Sequence, residues 1–449
     1  MFESIVKKLK NMLKEKHFGE IFKGSIITFA ANIVVVLLGL ILNLVIARYY
    51  GAKTLGIISL IMSYMAIVSL FSTFGLNTSL LRLIPEQLAK YTFKDAKDII
   101  FKSTQIIGIL SLTVTCILLL NTKYIAVNFY NEPKLEKWLF FATFLIIALN
   151  ISSINTTVIR ALKEINAFAL LQIIQPAINV ALLVVITVFV ITPDNPIYTY
   201  FISIFLGLII SSWFVFKSIR NKQKVYMQDF NATSNQKAYT HKQLIKISWP
   251  MFLTGAMWVL TSQVDIVMLG AFTSTENVGI YAVVIKLGMM ITFILTSINM
   301  VLAPKFAELY YSNDLESLRN VAQKSSKIIF YTTIPLLLIL IIFGKPILSL
   351  FGSEFIFGYW ALVFVALGQF VNTICGSTGY FMNMTGNQKE FNKIMMFATL
   401  LNIILNYILI PIFGIVGAAI SSLACVIYWN LGTVVFIKRK YNFYIGYKY

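Results

Sequence analysis

Charged residues are scarce in this chain: 12% of 449, against 58% hydrophobic, with a mean hydropathy of +0.80. A soluble domain carries about 25%. That shortage excludes a mostly water-facing surface, so the solvent is largely lipid. Acids are rarer still, 18 against 37 Lys and Arg. The resulting net charge of +19 invites a nucleic-acid reading. The basic residues instead stand in short clusters between long apolar runs, as topology-setting charges do, and nucleic acid is not an expected partner. There are three cysteines, Cys116, Cys375 and Cys425, all inside apolar runs and without CxxC spacing, which excludes a disulfide framework and a zinc site. The two histidines, His17 and His241, lie far apart in polar segments, so metal or histidine catalysis has no raw material and no cofactor is expected. A GxxxxGK[ST] loop is missing, which excludes a built-in ATPase motor. Residues 1–23 hold six lysines and no apolar core long enough for a cleavable signal. Phe2, Ile5, Val6, Leu9, Met12 and Leu13 recur there at helical spacing, which reads as an amphipathic helix on an anionic leaflet or as a solvated basic tail.

What the chain has in abundance is apolar length. A bilayer core takes about 20 apolar residues per helix. Twelve candidate spans follow: 24–49, 55–75, 100–121, 139–160, 166–192, 197–216, 244–271, 277–302, 327–350, 357–384, 391–412 and 413–437. With the N-terminus inside, thirty basic residues fall in inner segments and five (Lys53, Lys123, Lys134, Lys137 and Lys345) outside. Both termini are therefore expected in the cytoplasm of a cell whose cytoplasmic membrane holds the protein. The outer segments are too short for a soluble catalytic domain, so the chain is not expected to be an enzyme.

The chain also matches itself at an offset of 222–223 residues. Leu55-Gly56-Ile57 corresponds to Val278-Gly279-Ile280, Lys102-Ser103 to Lys324-Ser325, Phe168 to Phe391, and Asn179 to Asn402. Six spans per half is an even number, so both halves enter from the same side and the repeats are parallel, a layout used by alternating-access transporters. The expected organisation is an N-terminal segment (1–23), a first six-helix bundle (24–216), a polar linker (217–243), a second bundle (244–437) and a tail (438–449).

The stretch Ala47-Arg48-Tyr49-Tyr50-Gly51-Ala52-Lys53-Thr54-Leu55-Gly56, then Phe74-Gly75-Leu76-Asn77-Thr78-Ser79 and Leu81-Arg82, resembles the polysaccharide-biosynthesis (Wzx-like) flippases of the multidrug/oligosaccharidyl-lipid/polysaccharide exporter superfamily. The resemblance implies a MATE-like V of two six-helix bundles around a central cavity. It implies a polyprenyl-pyrophosphate-linked oligosaccharide as substrate, for O-antigen, capsule or a similar surface polymer. It also implies a cationic cavity with basic residues on the first and eighth helices, for which Arg48 and Lys286 are the matching positions. Polymerase and glycosyltransferases of the same pathway are the implied protein partners.

Charges within spans are costly, about 2.5–3.5 kcal/mol at the bilayer centre on insertion scales, so those present face a cavity or a partner. Lys286 lies about 13 Å into its span at 1.5 Å per residue. It reads either as a cavity residue or as an ion pair with Asp265 of the preceding helix. Arg48 reads as a headgroup anchor or as a bidentate pyrophosphate contact. Asp265 with Gln263 reads alternatively as a proton or sodium site for a counter-ion. Arg82 and Arg160, at cytoplasmic helix ends, read as topology anchors or as phosphate contacts. The intramembrane amides, among them Asn150, Gln172, Gln175, Asn402 and Asn406, read mainly as interhelical hydrogen bonds. The alternatives to a flippase are a cation-coupled drug or metabolite antiporter of the same superfamily, a membrane polymerase or ligase, and a pathway scaffold.

Overall fold

A computed structural model describes residues 16–90, 92–226 and 239–446. The expected amphipathic stretch before residue 16 and the middle of the expected linker lie outside the described residues. Every described secondary-structure element is helical. Among the described residues, eleven helices are long and apolar enough to cross a membrane, and the first, a predominantly apolar stretch of 48 residues, is long enough to cross twice.

In the first half, α1 (Lys16–Thr73) is broken at Gly51, whose φ of 79° is open to glycine and strained for other residues. Residues 16–50 form its first limb and 52–73 its second. Then come α2 (Leu76–Lys90), α3 (Phe93–Leu119), α4 (Leu135–Ala161), α5 (Ile165–Phe189) and α6 (Asn195–Tyr226). In the second half, α7 (His241–Phe272) and α8 (Thr275–Tyr311) are followed by α9 (Leu315–Ile342) and α10 (Tyr359–Cys375). The half closes with α11 (Thr378–Met384), α12 (Gln388–Phe413) and α13 (Ile415–Tyr441).

Local sequence sets the boundaries. Capping boxes open α3 (Thr92 with Asp95) and α7 (Thr240 with Gln243), each satisfying orphan amides of the first turn. Positive-φ glycines end α10 at Gly376 and separate α12 from α13 at Gly414. The expected inner segment after the second span is instead largely the helix α2, and the expected linker is helical as far as Tyr226. Both carry polar residues that a span search passes over while leaving helix formation intact.

The helices form two parallel six-span bundles. At the face opposite the termini the bundles share one hydrophobic core, in which Leu55, Ile58 and Ile61 of α1 pack with Val278, Tyr281 and Val284 of α8. Toward the basic face the core divides. One cluster, around Leu80, Ile107 and Ile159, belongs to the first half apart from Leu244 of α7, and another, around Phe306, Phe381 and Ile437, to the second. The halves thus share one continuous core at that face, and toward the basic face each has its own, bridged by a small cluster of Leu70 of α1 with Phe252 and Ala256 of α7.

Candidate functional site

The site is built on the seam between the halves, and α8 supplies its central face. At Gly279 an added Cβ would sit 2.0 Å from the Ala52 carbonyl oxygen; at Gly56 it would sit 1.7 Å from that of Thr275. Only glycine permits that crossing. Farther along α8, Phe293 stacks on Phe29 of the first limb of α1, with centroids 5.8 Å apart. Lys286 stands midway between Gly279 and Phe293, at the seven-residue interval that returns to the same helix face. Its side chain is exposed between the two contacts and forms no hydrogen bond or ion pair with a described residue. Counted from Thr275, it lies about 16 Å from the helix end, near the middle of the membrane thickness.

The matching seam, between the second limb of α1 and α7, is fastened differently. Ser63 donates to Gln263 Oε1 at 2.8 Å. Ser79 and Ser248 share a hydrogen bond of 2.7 Å. Phe74 stacks on Phe252 at 4.8 Å, with Trp249 5.6 Å from each. Gly75, with φ of 72°, lets this approach occur, since a Cβ there would meet the Phe252 amide at 2.5 Å.

Asp265 lies elsewhere. It is 5% exposed and faces α12, where Asn402 and Asn406 donate to its Oδ1 at 3.1 and 2.8 Å, while the Tyr281 hydroxyl donates to Oδ2 at 2.9 Å. These neutral donors replace the ion pair considered with Lys286: the lysine looks into the seam, and the carboxylate into the second bundle. Nor do Gln263 and Asp265 form one site. Two residues apart on a helix they point about 200° apart, Gln263 to Ser63 and Asp265 to α12. One acceptor beside the carboxylate, Asn406 Oδ1, is buried without a partner.

The other sequence candidates do not join Lys286. Arg48 ends an exposed stripe of Ile26, Val34, Leu37, Ile41 and Leu44 on the first limb of α1. Arg82 is ion-paired to Glu86 at 3.8 Å near the basic face. Arg160 sits 5.2 Å over the Phe168 ring. A polar cavity of about 360 Å³ between α4, α5 and α6 brings together Ser152, Ser153, Thr156 and Thr157 with Gln172 and Gln175. Sequence reasoning reached only the two glutamines; the hydroxyl cluster 152–157 was the signal for the rest.

Two parallel six-span bundles meeting along a polar seam define a membrane protein of the multidrug/oligosaccharidyl-lipid/polysaccharide exporter fold. Its structure aligns with the lipid II flippase MurJ in an inward closed conformation (TM-score 0.74, 15% identity, 92% of this chain and 87% of that one). It aligns also with an inward-facing multidrug resistance MATE family transporter (TM-score 0.71, 13% identity, 93% and 98%).

The chain belongs to the polysaccharide biosynthesis protein family, whose model matches residues 21–310; the MatE model matches 250–408. Relatives include Stage V sporulation protein B of Bacillus subtilis (26% identity, 37% of this chain and 32% of that protein). Another is the "Probable flippase AglR" of Haloferax volcanii (29% identity, 39% and 37%). The match thus spans about a third of the length of these relatives.

Proposed function

We propose that this protein is a flippase that carries a polyprenyl-pyrophosphate-linked oligosaccharide across the cytoplasmic membrane by alternating access, for synthesis of a cell-surface polysaccharide. The observation that carries this reading is Lys286: a cation at mid-membrane, unpaired among the described residues, on the face where the bundles meet. A cation there stabilises a diphosphate that would otherwise not leave water, and repels a cationic drug. The polysaccharide biosynthesis family and a relative described as a probable flippase support this reading.

The lipid tail stays in the bilayer, so the seam has to open sideways. The seam of α8 with the first limb of α1 carries the lysine and an aromatic contact. The opposite seam is tied by hydrogen bonds as well. We assign headgroup entry to the lysine seam, from a cytoplasm facing the basic ends. Export of a headgroup of charge near −2 from a negative interior gains roughly 4.6 kcal/mol per 100 mV. Arg48, at the far end of its limb, meets the headgroup on release or anchors the limb among lipid headgroups.

Lipid extraction from cells lacking the gene is the test. Polyprenyl-linked oligosaccharide is expected to accumulate, to clear with the wild type, and to persist at least tenfold higher with Lys286→Ala; Arg48→Ala separates release from anchoring. No accumulation, with greater sensitivity to cationic drugs, overturns the reading in favour of an antiporter.

The Asp265 cluster supports a second element, a site for a counter-ion, H+ or Na+. A carboxylate with an unpartnered amide oxygen beside it presents oxygen ligands in a sealed bundle. Asp265→Asn is expected to abolish any dependence of flipping on a sodium or proton gradient while leaving the response to membrane potential. An unchanged gradient response excludes this role.

A further inference from the structure

The polar cavity of the first bundle has no part in holding the bundles together, and its chemistry is distinct from that of the seam. Its polar lining is Ser152, Ser153, Thr156 and Thr157 of α4, Gln172 and Gln175 of α5 and Ser211 of α6, interleaved with the apolar Leu149, Leu171 and Ile174. None of its lining residues is charged. A hydroxyl- and amide-lined hollow with no carboxylate is unsuited to a cation, and with no basic group it is unsuited to a phosphate. It matches a neutral polyhydroxylated ligand.

The hydrogen bonds within it are unevenly committed. Thr156 and Thr157 donate their hydroxyls to the Ser152 and Ser153 carbonyls at 2.9 and 3.0 Å, which leaves their oxygens as acceptors. Gln172 and Gln175 have no side-chain partner among the described residues, and Gln172 Oε1 is buried without one. Leaving such an acceptor dry is unfavourable, so a donor is wanted there. Pro176, in the same helix and on the same wall, has no N–H to give to the carbonyl four residues back, which is again that of Gln172. The wall of the cavity therefore carries acceptors that no described donor meets.

The cavity also has the right address. Asn77 donates to Ser153 at 2.9 Å, and Asn77 follows the Gly75 turn at which the first half meets α7. Ser153 is exposed, so the rim is open beside that turn. Counted along α5 from Ile165, Gln172 and Gln175 lie about 10–15 Å from the basic end of their helix.

We infer that this cavity is the saccharide-recognition subsite, reading sugar hydroxyls while the diphosphate is held at Lys286. The inference rests on the flippase reading.

The experiment uses the full chain in lipid nanodiscs and two probes: the polyprenyl-linked pool extracted from cells lacking the gene, and bare polyprenyl diphosphate. The wild type is expected to bind the glycosylated pool about tenfold more tightly, the worth of one or two net hydrogen bonds. Gln172→Leu with Gln175→Leu removes that preference and leaves bare-lipid binding unchanged, which also reports an intact fold; Lys286→Ala weakens both lipids alike. A double variant that keeps the full preference, or a wild type that binds both lipids equally, overturns the subsite. If the double variant also loses bare-lipid binding, Gln172→Asn with Gln175→Asn decides: restored bare binding with the full preference overturns the subsite, and a reduced preference supports it. A wild type that binds neither lipid overturns the flippase reading itself.

Discussion

The two seams between the bundles are made of equivalent positions, yet they differ in chemistry. With an offset of 223 residues, Gly56 and Ser63 of α1 correspond to Gly279 and Lys286 of α8, and Phe29 corresponds to Phe252. Both seams keep an aromatic contact toward the basic face, Phe29 with Phe293 and Phe252 with Phe74. At mid-depth they part. Ser63 ties its seam to Gln263, whereas Lys286 stands free and the residue of α1 matching Gln263 is Leu40. One seam has the polar complement that keeps helices together in lipid; the other has a charge with no partner. The difference teaches that a symmetric scaffold can hold one side closed and leave the other for a ligand.

Three perturbations test that comparison, beginning with the part both seams depend on. Gly279→Leu would push a side chain into the Ala52 carbonyl, which an added Cβ alone would approach to 2.0 Å. Overpacking of this kind costs about 1–3 kcal/mol or more. Little monodisperse protein is expected by size-exclusion chromatography, and a normal yield would show that the crossing is not tightly held.

Exchanging the mid-depth residues, Ser63→Lys with Lys286→Ser, keeps composition and moves the cation to the tied seam. Lipid-linked sugar is expected to accumulate about as in cells lacking the gene, because Ser79–Ser248 and the Phe74–Phe252 stack still fasten that side. Full activity would show that the seams are interchangeable.

The smallest effect belongs to Ser63→Ala. It removes one interhelical hydrogen bond, which averages about 0.6 kcal/mol in membranes. A thermal midpoint lower by a degree or two, with flipping retained, is the expected outcome; loss of flipping would give the tied seam a direct role.

Much of this arrangement was legible from the chain. The span breaks at Gly51 and Gly414 could be read because glycine interrupts long apolar runs. Lys286 could be read because an isolated charge in such a run has few explanations. Gly56 and Gly279 were visible as a repeat, but not as neighbours, since a repeat reports equivalence and contact depends on where the axis lies. The facing of Asp265 was hidden for a related reason: Asn402 and Asn406 are 137 and 141 residues away along the chain, and only folding brings their amides to its carboxylate. The hydroxyls of α4 went unnoticed because Ser and Thr in apolar helices usually bond to their own backbone, as Thr156 and Thr157 indeed do.

The glycine crossing has a consequence for ancestry. Gly56 and Gly279 are the same residue of the repeat, and they meet each other. Contact between a residue and its own copy across a two-fold axis is the mark of an isologous dimer interface. A half-length ancestor, six helices inserted in one orientation, would have closed on a second copy of itself through this glycine. Such a dimer must carry a lysine in both seams or in neither. Fusion into one chain removed that obligation, and the divergence of Ser63 from Lys286 records it.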